Sequence, residues 1–381
     1  MPENYKYTFN KPFLTGKETE YIKTAVESGK ISGDGIYTQK CQKFFEERFG
    51  FKKTLLTTSC TDALEMSALL INIRRSDEVI VPSYTFVSTA NAFVLRGADI
   101  IFTDSSENNP NIDPGLVESL VTSKTKALVV MHYGGIACDM DKLIGIASKH
   151  NLILIEDAAQ SVDSYYKAKP LGSFGQLSAF SFHETKNLIS GEGGMIVIND
   201  DKYLKRSEII REKGTNRSAF FRGEVDKYGW VDIGSSYLPS EIIAAFLYAQ
   251  LENLEKIQAK RVALWNTYHD NLKHLEEYGK VKLPYLPEYA TNNGHLFYLV
   301  CSSLQERTRL IDFLKNNGIQ AVFHYQSLHK SPFYRDKYKG APLANSDKYT
   351  DCLIRLPMYF DLETSDAEFI SSVVRKFYKG S

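Results

Sequence analysis

A chain of 381 residues exceeds the size at which a single hydrophobic core stops growing, so two domains are expected. Its 46 basic and 46 acidic side chains cancel, with no long run of either sign, which argues against nucleic acid or an anionic membrane surface and leaves small molecules as partners. Cys41, Cys60, Cys138, Cys301 and Cys352 are odd in number and form no Cys-x-x-Cys pair, which fits a reducing compartment rather than a disulfide framework or a zinc site.

In chain order, the N-terminal stretch MPENYKYTFNKPFLTGKE lacks the apolar centre of a signal peptide. No apolar run approaches the roughly 18 residues that span a bilayer, so a cytoplasmic protein is expected. From Thr54 to Asn199 the β-rich runs TLLT, EVIVP, DIIFTD, KALVVMH, LILIED, LSAFSFH and MIVIN alternate with helical patterns at 62–71, 88–96, 114–122 and 140–150. This alternation predicts crossover units and a mainly parallel sheet covered on both faces. Residues 240–278 read as one long helix able to bridge two domains, with leucine, isoleucine and alanine at three- and four-residue spacing. Beyond it VKLP, LFYLV and QAVFHY read as strands, and 305–317 and 365–376 as helices. The expected division is a large α/β domain over 1–250, whose N-terminal segment is free to pack elsewhere, and a smaller α+β domain over 251–381.

Ligands of such sheets sit beyond the carboxyl ends of the strands, which directs attention to 58–61, 156–160 and 181–187. In SAFSFHETKN, Lys186 lies just past an apolar strand, where partial desolvation would free its amine for attack on a carbonyl. Most loop lysines are simply solvated. Asp157 ends the LILIE run, where a carboxylate can hold a pyridinium nitrogen protonated so that the ring acts as an electron sink; the plainer alternative is a helix cap. Gln160 would then donate to a ring oxygen. In TTSCTDAL, Ser59, Cys60 and Thr61 open a helix whose N–H groups can cradle a phosphate, with Ser181 adding a hydroxyl. PSYTFVSTAN offers Tyr84 and Phe86 as rings to stack on a flat cofactor. In a chain with 22 phenylalanines, core packing is the default for either ring. The conjunction of these groups at successive strand ends carries more weight than any one of them. His324 and His329 lack a third ligand, so no metal is expected, and GEGG at 191–194 matches neither dinucleotide nor nucleoside-triphosphate loop patterns.

The segments TSCTDALEMSALL, PSYTFVSTANAFVLRGA, IEDAAQS, GSFGQLSAFSFHETKN, GEGGMIVIND, LHKSP and RLPMY resemble the DegT/DnrJ/StrS family of nucleotide-sugar aminotransferases, from about Lys11 to the C-terminus. The resemblance implies fold type I, the aspartate aminotransferase-like fold, with a large mixed-sheet domain and a smaller α+β domain. It also implies pyridoxal 5'-phosphate as cofactor and a homodimer with shared active sites. By position, Lys186 matches the lysine that carries the cofactor, Asp157 the partner of its pyridine nitrogen, and Gln160 a residue near the ring hydroxyl. Cys60, Thr61 and Ser181 match the phosphate cradle, Phe86 the stacking ring, and His329 a histidine on the sugar side of the cleft. The resemblance favours Phe86 over Tyr84 for the stacking role. Ser236 stands where many relatives have the asparagine or lysine that reaches the phosphate from the neighbouring subunit.

Within the family, SGDG, REKGTNRSAFFRGEVDKY and DIGSSYLPSE are most similar to the branch that aminates dTDP-4-dehydro-6-deoxy-D-glucose at C4 with L-glutamate, for surface glycans. Another nucleotide-sugar aminotransferase, with a 3-amino or a 4-amino-gluco product or a different nucleotide, and a cofactor-binding regulator without turnover are the alternatives. The family's dehydratases replace the lysine by histidine, so Lys186 argues against that branch.

Overall fold

The computed structural model describes residues 5–379. Residues 1–4, which begin both the stretch expected to hold no signal peptide and the expected large domain, lie outside the described residues, as do residues 380–381 at the end of the small one. The strands are β1 (Thr54–Thr57), β2 (Glu78–Pro82), β3 (Asp99–Thr103), β4 (Thr125–Met131) and β5 (Ile153–Asp157), then a small hairpin of β6 (Tyr165–Tyr166) and β7 (Lys169–Pro170), then β8 (Leu177–Ser181) and β9 (Gly194–Ile198). All seven expected runs are strands of one sheet, in the order β1-β9-β8-β5-β4-β2-β3.

Neighbours in the sheet are parallel except at β9, which runs antiparallel to both β1 and β8. The exception follows from the connection. A loop at 182–193, without a crossover helix, returns the chain directly beside β8, and a direct return reverses its direction. Strand β3 lies outside β2, whereas β4, β5 and β8 follow on its other side. The winding therefore reverses between β2 and β4, which is where a doubly wound sheet opens a crevice at its carboxyl edge.

The helical expectations hold with ends moved by at most three residues: Cys60–Leu70, Ser88–Val94, Met140–Lys149, Leu304–Asn316 and Thr364–Lys379, while 114–122 splits into Pro114–Val117 and a 3-10 turn. Residues 240–278 are not one helix. They form Glu241–Leu251 and Leu254–Glu277, broken at Glu252–Asn253, where Asn253 turns its side-chain amide back onto the carbonyl of Ala249. The first piece packs on the helices Glu18–Glu27 and Ile36–Phe49, and the second on Thr364–Lys379. Leu247 and Leu251 of the first piece and Leu254 and Ile257 of the second join the core beside the large sheet, and further along the second piece Leu264, Trp265, Tyr268 and Leu272 join the core beside a second one. Each such apolar side chain, fully buried, contributes about 1.5–3 kcal/mol.

The second sheet comprises β10 (Phe297–Val300), β11 (Val322–Phe323) and β12 (Leu353–Leu356) in the antiparallel order β10-β12-β11. VKLP is not a strand; only Lys282 bridges to Val300. Strand β12 was not anticipated, because an arginine interrupts its apolar run. Tyr7 exchanges hydrogen bonds with Gly318 and Gln320, tying the N-terminal segment to this smaller unit.

Candidate active site

At the carboxyl edge of the large sheet lies a cavity of about 530 Å³, lined from β1, β2, β4, β5 and β8 on one side and by His295, His324, Tyr325 and Arg355 on the other. Cys60, Thr61, Phe86, Asp157, Gln160, Ser181 and Lys186 all line it. Residues drawn from four sequence motifs thus meet in one place.

The helix Cys60–Leu70 points its N-terminus at this cavity. Ser59 caps it by accepting from the N–H of Asp62 at 3.0 Å, and Thr61 shares a hydrogen bond of 2.8 Å with Ser88. The leading N–H groups of Cys60 and Thr61 precede the helical ladder, where an anion is stabilised by donors and dipole together. Gly194 is what lets β9 start against this turn. A Cβ there would stand 2.2 Å from the carbonyl carbon of Ser59 and 2.4 Å from the nitrogen of Cys60. The glycine-rich segment thus serves close backbone approach.

Asp157, only 4% exposed, accepts from the hydroxyl of Thr89 at 2.6 Å and from the N–H of Ala159 at 3.2 Å. Burial nevertheless pushes its carboxyl above the ordinary range, with these bonds and the charge of Lys186 acting against the shift. Its neighbour Glu156 is fully buried and accepts from the N–H groups of Gly172, Phe174 and Gly175, the hydroxyl of Ser178 and the ring of His132. Burial alone would raise the Glu156 carboxyl; those donors, His132 first, hold it below its usual range.

Lys186 sits in a tight turn in which its own N–H donates to the carbonyl of His183 at 2.9 Å. The next residue pins that turn: Asn187 donates to Gln258 and to the carbonyl of Asn293 and accepts from His295, each at 2.8–2.9 Å. Burial lowers the lysine pKa; Cys60 and Asp157 oppose the shift and the guanidinium of Arg355 adds to it. Among the described residues no hydrogen bond or ion pair holds the Nζ amine, so it is free to react.

Gln160 is oriented at both ends, accepting from the N–H of Gly134 at 2.6 Å and donating to the hydroxyl of Tyr325 at 3.0 Å. Of the two candidate rings, Phe86 faces the cavity at 53% exposure, while Tyr84 is buried among Tyr133, Tyr325 and Tyr349. Two expected residues lie outside the cavity. Ser236 is exposed and bridges Glu212, and His329 is buried with Nδ1 2.7 Å from the hydroxyl of Ser83 and Nε2 3.6 Å from Asp347. Arg355, Tyr325, His295 and Thr89 escaped the sequence reading, and His324 entered it only as a discarded metal ligand. No metal-binding cluster occurs among the described residues. One signal for Arg355 was available, a charge inside the apolar run LIRLP.

A half-buried lysine with an unpaired amine, a buried carboxylate and a helix N-terminus around one cavity fit pyridoxal phosphate, which needs an amine, a counter-charge and a phosphate cradle. The comparisons agree. The profile of the DegT/DnrJ/EryC1/StrS aminotransferase family matches residues 12–375. The chain is 31% identical to the spore coat polysaccharide biosynthesis protein SpsC of Bacillus subtilis, covering 99% of this chain and 98% of that protein. It is also 31% identical to GDP-perosamine synthase of Escherichia coli O157:H7, covering 97% of each. In fold it is similar to the putative sugar aminotransferase Spr1654 of Streptococcus pneumoniae, with a TM-score of 0.91 at 22% identity over 99% of this chain and 98% of that one. Family match, fold and site together establish that this chain belongs to the DegT/DnrJ/EryC1/StrS aminotransferase family and is a pyridoxal-phosphate-dependent sugar aminotransferase of fold type I.

Proposed function

We propose that the chain transfers the amino group of L-glutamate to C4 of dTDP-4-dehydro-6-deoxy-D-glucose, giving dTDP-4-amino-4,6-dideoxy-D-galactose and 2-oxoglutarate. The single observation that carries amino transfer is the free, pKa-lowered amine of Lys186 beside buried Asp157 in a cavity that opens on a helix N-terminus. The N–H groups of Cys60 and Thr61 and the hydroxyl of Ser181 would hold the cofactor phosphate. Asp157 would face the pyridine nitrogen, Gln160 the ring oxygen and Phe86 the ring plane. Bound there, pyridoxal phosphate supplies an electron sink for the pair left when a proton leaves the amine-bearing carbon. Nζ of Lys186 takes that proton from the donor and, in the second half-reaction, returns one to C4 of the sugar. A lowered pKa leaves a larger fraction of this amine unprotonated at neutral pH, as a base requires.

The sugar is assigned from the similarity of SGDG, REKGTNRSAFFRGEVDKY and DIGSSYLPSE to that branch. The names of SpsC and GDP-perosamine synthase support a role in glycan assembly. A surface glycan such as enterobacterial common antigen, O-antigen or lipopolysaccharide would use the product. The five cysteines are all free and no helix among the described residues is long and apolar enough to cross a membrane, which supports the expected cytoplasmic setting.

A homodimer belongs to the same proposal. Phe221, Trp230 and Val231 stand 69%, 85% and 54% exposed on the segment that leads to Ser236, an apolar surface that a second copy would cover. In that assembly Ser236 would reach the partner's phosphate site, and His329 would support the sugar side through Ser83 rather than touch it.

The test is spectroscopic. Yellow holoenzyme should bleach with glutamate and recover with the dTDP-4-keto sugar, with NMR placing an axial amine at C4. Recovery only with another keto sugar, or an amine at C3, refutes the assignment. Sedimentation should show a dimer that Trp230→Glu breaks into inactive monomers; a fully active wild-type monomer would refute the shared site.

A further inference from the structure

Three histidines line the active-site cavity. His183 lies in the loop after β8 with its side chain 40% exposed. The other two belong to the opposite wall, His295 just before β10 and His324 just after β11, and neighbours fix the ring proton of each. His295 is 4% exposed, and its Nδ1 stands 2.9 Å from Oδ1 of Asn187. The orientation of that amide follows from its other contacts. Its nitrogen faces the backbone carbonyl of Asn293 and Oε1 of Gln258, each at 2.8 Å, and a backbone carbonyl can only accept. The atom turned toward His295 is therefore the amide oxygen, which also only accepts, so Nδ1 of His295 carries the proton. A neutral imidazole holds one proton, which leaves Nε2 of His295 a bare acceptor.

His324 is set the opposite way. Its Nδ1 stands 3.1 Å from the hydroxyl of Tyr133, a residue 2% exposed. Among the described residues that nitrogen is the one acceptor the Tyr133 hydroxyl meets, since the hydroxyl of nearby Tyr84 is buried without a partner. A proton on Nδ1 of His324 would leave the buried Tyr133 hydroxyl with nowhere to donate, which is costly. Nδ1 of His324 therefore accepts, and Nε2 keeps the N–H. Burial first, and then the positive charges of Lys186 and Arg355, hold both rings well below the ordinary imidazole range, so both are neutral at pH 7. Among the described residues no hydrogen bond or ion pair reaches Nε2 of either ring. One wall of the cavity thus presents one acceptor and one donor, both unused.

That pair discriminates between the ligands of the two half-reactions. A carboxylate only accepts and would meet the bare nitrogen of His295 lone pair to lone pair. A hydroxyl accepts and donates at once. With the ketone at C4 of a 6-deoxy sugar, C5 has its oxygen in the ring and C3 bears the one hydroxyl next to the reacting carbon. Both histidines lie close enough to Lys186 for its charge to act on them, which puts them near the reacting carbon rather than along the nucleotide.

We propose that His295 and His324 together bind the hydroxyl on the carbon next to the ketone, C3 in the proposed substrate, with Nε2 of His295 accepting from it and Nε2–H of His324 donating to it. They are specificity residues of the second half-reaction. This rests on amino transfer to a keto sugar and adds how the cavity recognises the sugar beside its reacting carbon.

The first experiment reads the tautomers in cofactor-free protein by NMR of isotope-labelled histidine, which should show the proton on Nδ1 of His295 and on Nε2 of His324. The second is a cycle between residue and ligand, run by single-turnover recolouring of pyridoxamine-phosphate-loaded enzyme with whichever keto sugar reacts best. A sugar other than the one proposed above would therefore refute that assignment without touching this one. His295→Asn keeps a donor for Asn187 and removes the cavity-facing acceptor, while His324→Asn keeps an acceptor for Tyr133 and removes the cavity-facing donor. Each should need roughly 10- to 100-fold more keto sugar for half-maximal recolouring. The analogue without the hydroxyl next to the ketone should react equally poorly with wild type and variants. His324→Gln, which restores an N–H near the lost position, should recover most of the affinity. Bleaching by the amino donor should stay within about threefold of wild type. The opposite tautomer at either ring, equal loss in both half-reactions, or an undiminished preference of the variants for the hydroxylated sugar would overturn the proposal.

Discussion

Replacing Asp157 by asparagine separates what the carboxylate does for chemistry from what it costs the fold. In the chain alone burial outweighs two hydrogen bonds, 2.6 Å from Thr89 and 3.2 Å from Ala159, and the folded pKa lies above the ordinary 3.8. A group that binds its proton more tightly in the folded state loses stability as pH rises from 3.8 through the folded value. The cost is therefore absent below 3.8 and grows as pH rises above it. The substituted amide is neutral and keeps one acceptor, so cofactor-free Asp157→Asn should be more stable at pH 7 by about 1 kcal/mol, on the order of 1–2 °C in Tm. The gain should shrink as pH falls toward 3.8. Activity should move the opposite way. Removing one partner of a buried charge pair costs about 3–5 kcal/mol, so single-turnover bleaching by glutamate should slow roughly 10²- to 10⁴-fold. Calorimetric melts at two pH values and stopped-flow absorbance read both. A variant that is less stable at pH 7, or that reacts within tenfold of wild type, would show that Asp157 is a structural cap.

Gly194→Ala should raise the dissociation constant for pyridoxal phosphate at least about tenfold in an absorbance titration, because a Cβ 2.2 Å from Ser59 must push β9 off the helix N-terminus. Wild-type affinity would show that this turn does not hold the phosphate. Glu156→Gln places an amide against three N–H donors and a hydroxyl, and should cost about 3–5 kcal/mol in urea unfolding. Because the Glu156 pKa is depressed in the fold, its contribution is present above 4.5 and fades as pH drops below it, so the gap between variant and wild type should narrow in acid. Thr89→Val removes the 2.6 Å bond to buried Asp157, and should slow amino transfer about tenfold and cost about 1–3 kcal/mol in urea unfolding; a variant with wild-type transfer rates would show that this bond does not serve the site.

What the sequence disclosed and what it hid follow from range. Lys186, Asp157 and Ser59 to Thr61 each lie at the end of an apolar strand, so a periodic pattern and its polar terminus identify them within a window of ten residues. The seven strands were legible for the same reason. Arg355, Tyr325 and His295 reach the cavity from a second sheet more than a hundred residues away, and only tertiary packing brings them there. Strand β12 was hidden by its own arginine, since a charge inside LIRL breaks the apolar run by which a strand is read. The break at Asn253 was invisible because leucine and isoleucine keep helical spacing on both sides of it and stay in one core, the change of core coming only between Ile257 and Leu264. Thr89 was hidden differently: it lies within a helix pattern that reads as packing, and only its 2.6 Å bond to Asp157 marks it.

Borohydride reduction of the yellow holoenzyme, followed by peptide mass spectrometry, tests the central claim most directly. Reduction fixes the cofactor to whichever amine holds it. The account predicts the pyridoxyl mass on Lys186 alone, and its absence, with loss of the yellow colour, in Lys186→Ala. The mass on any other lysine, or a Lys186→Ala protein that still aminates the keto sugar, would contradict it.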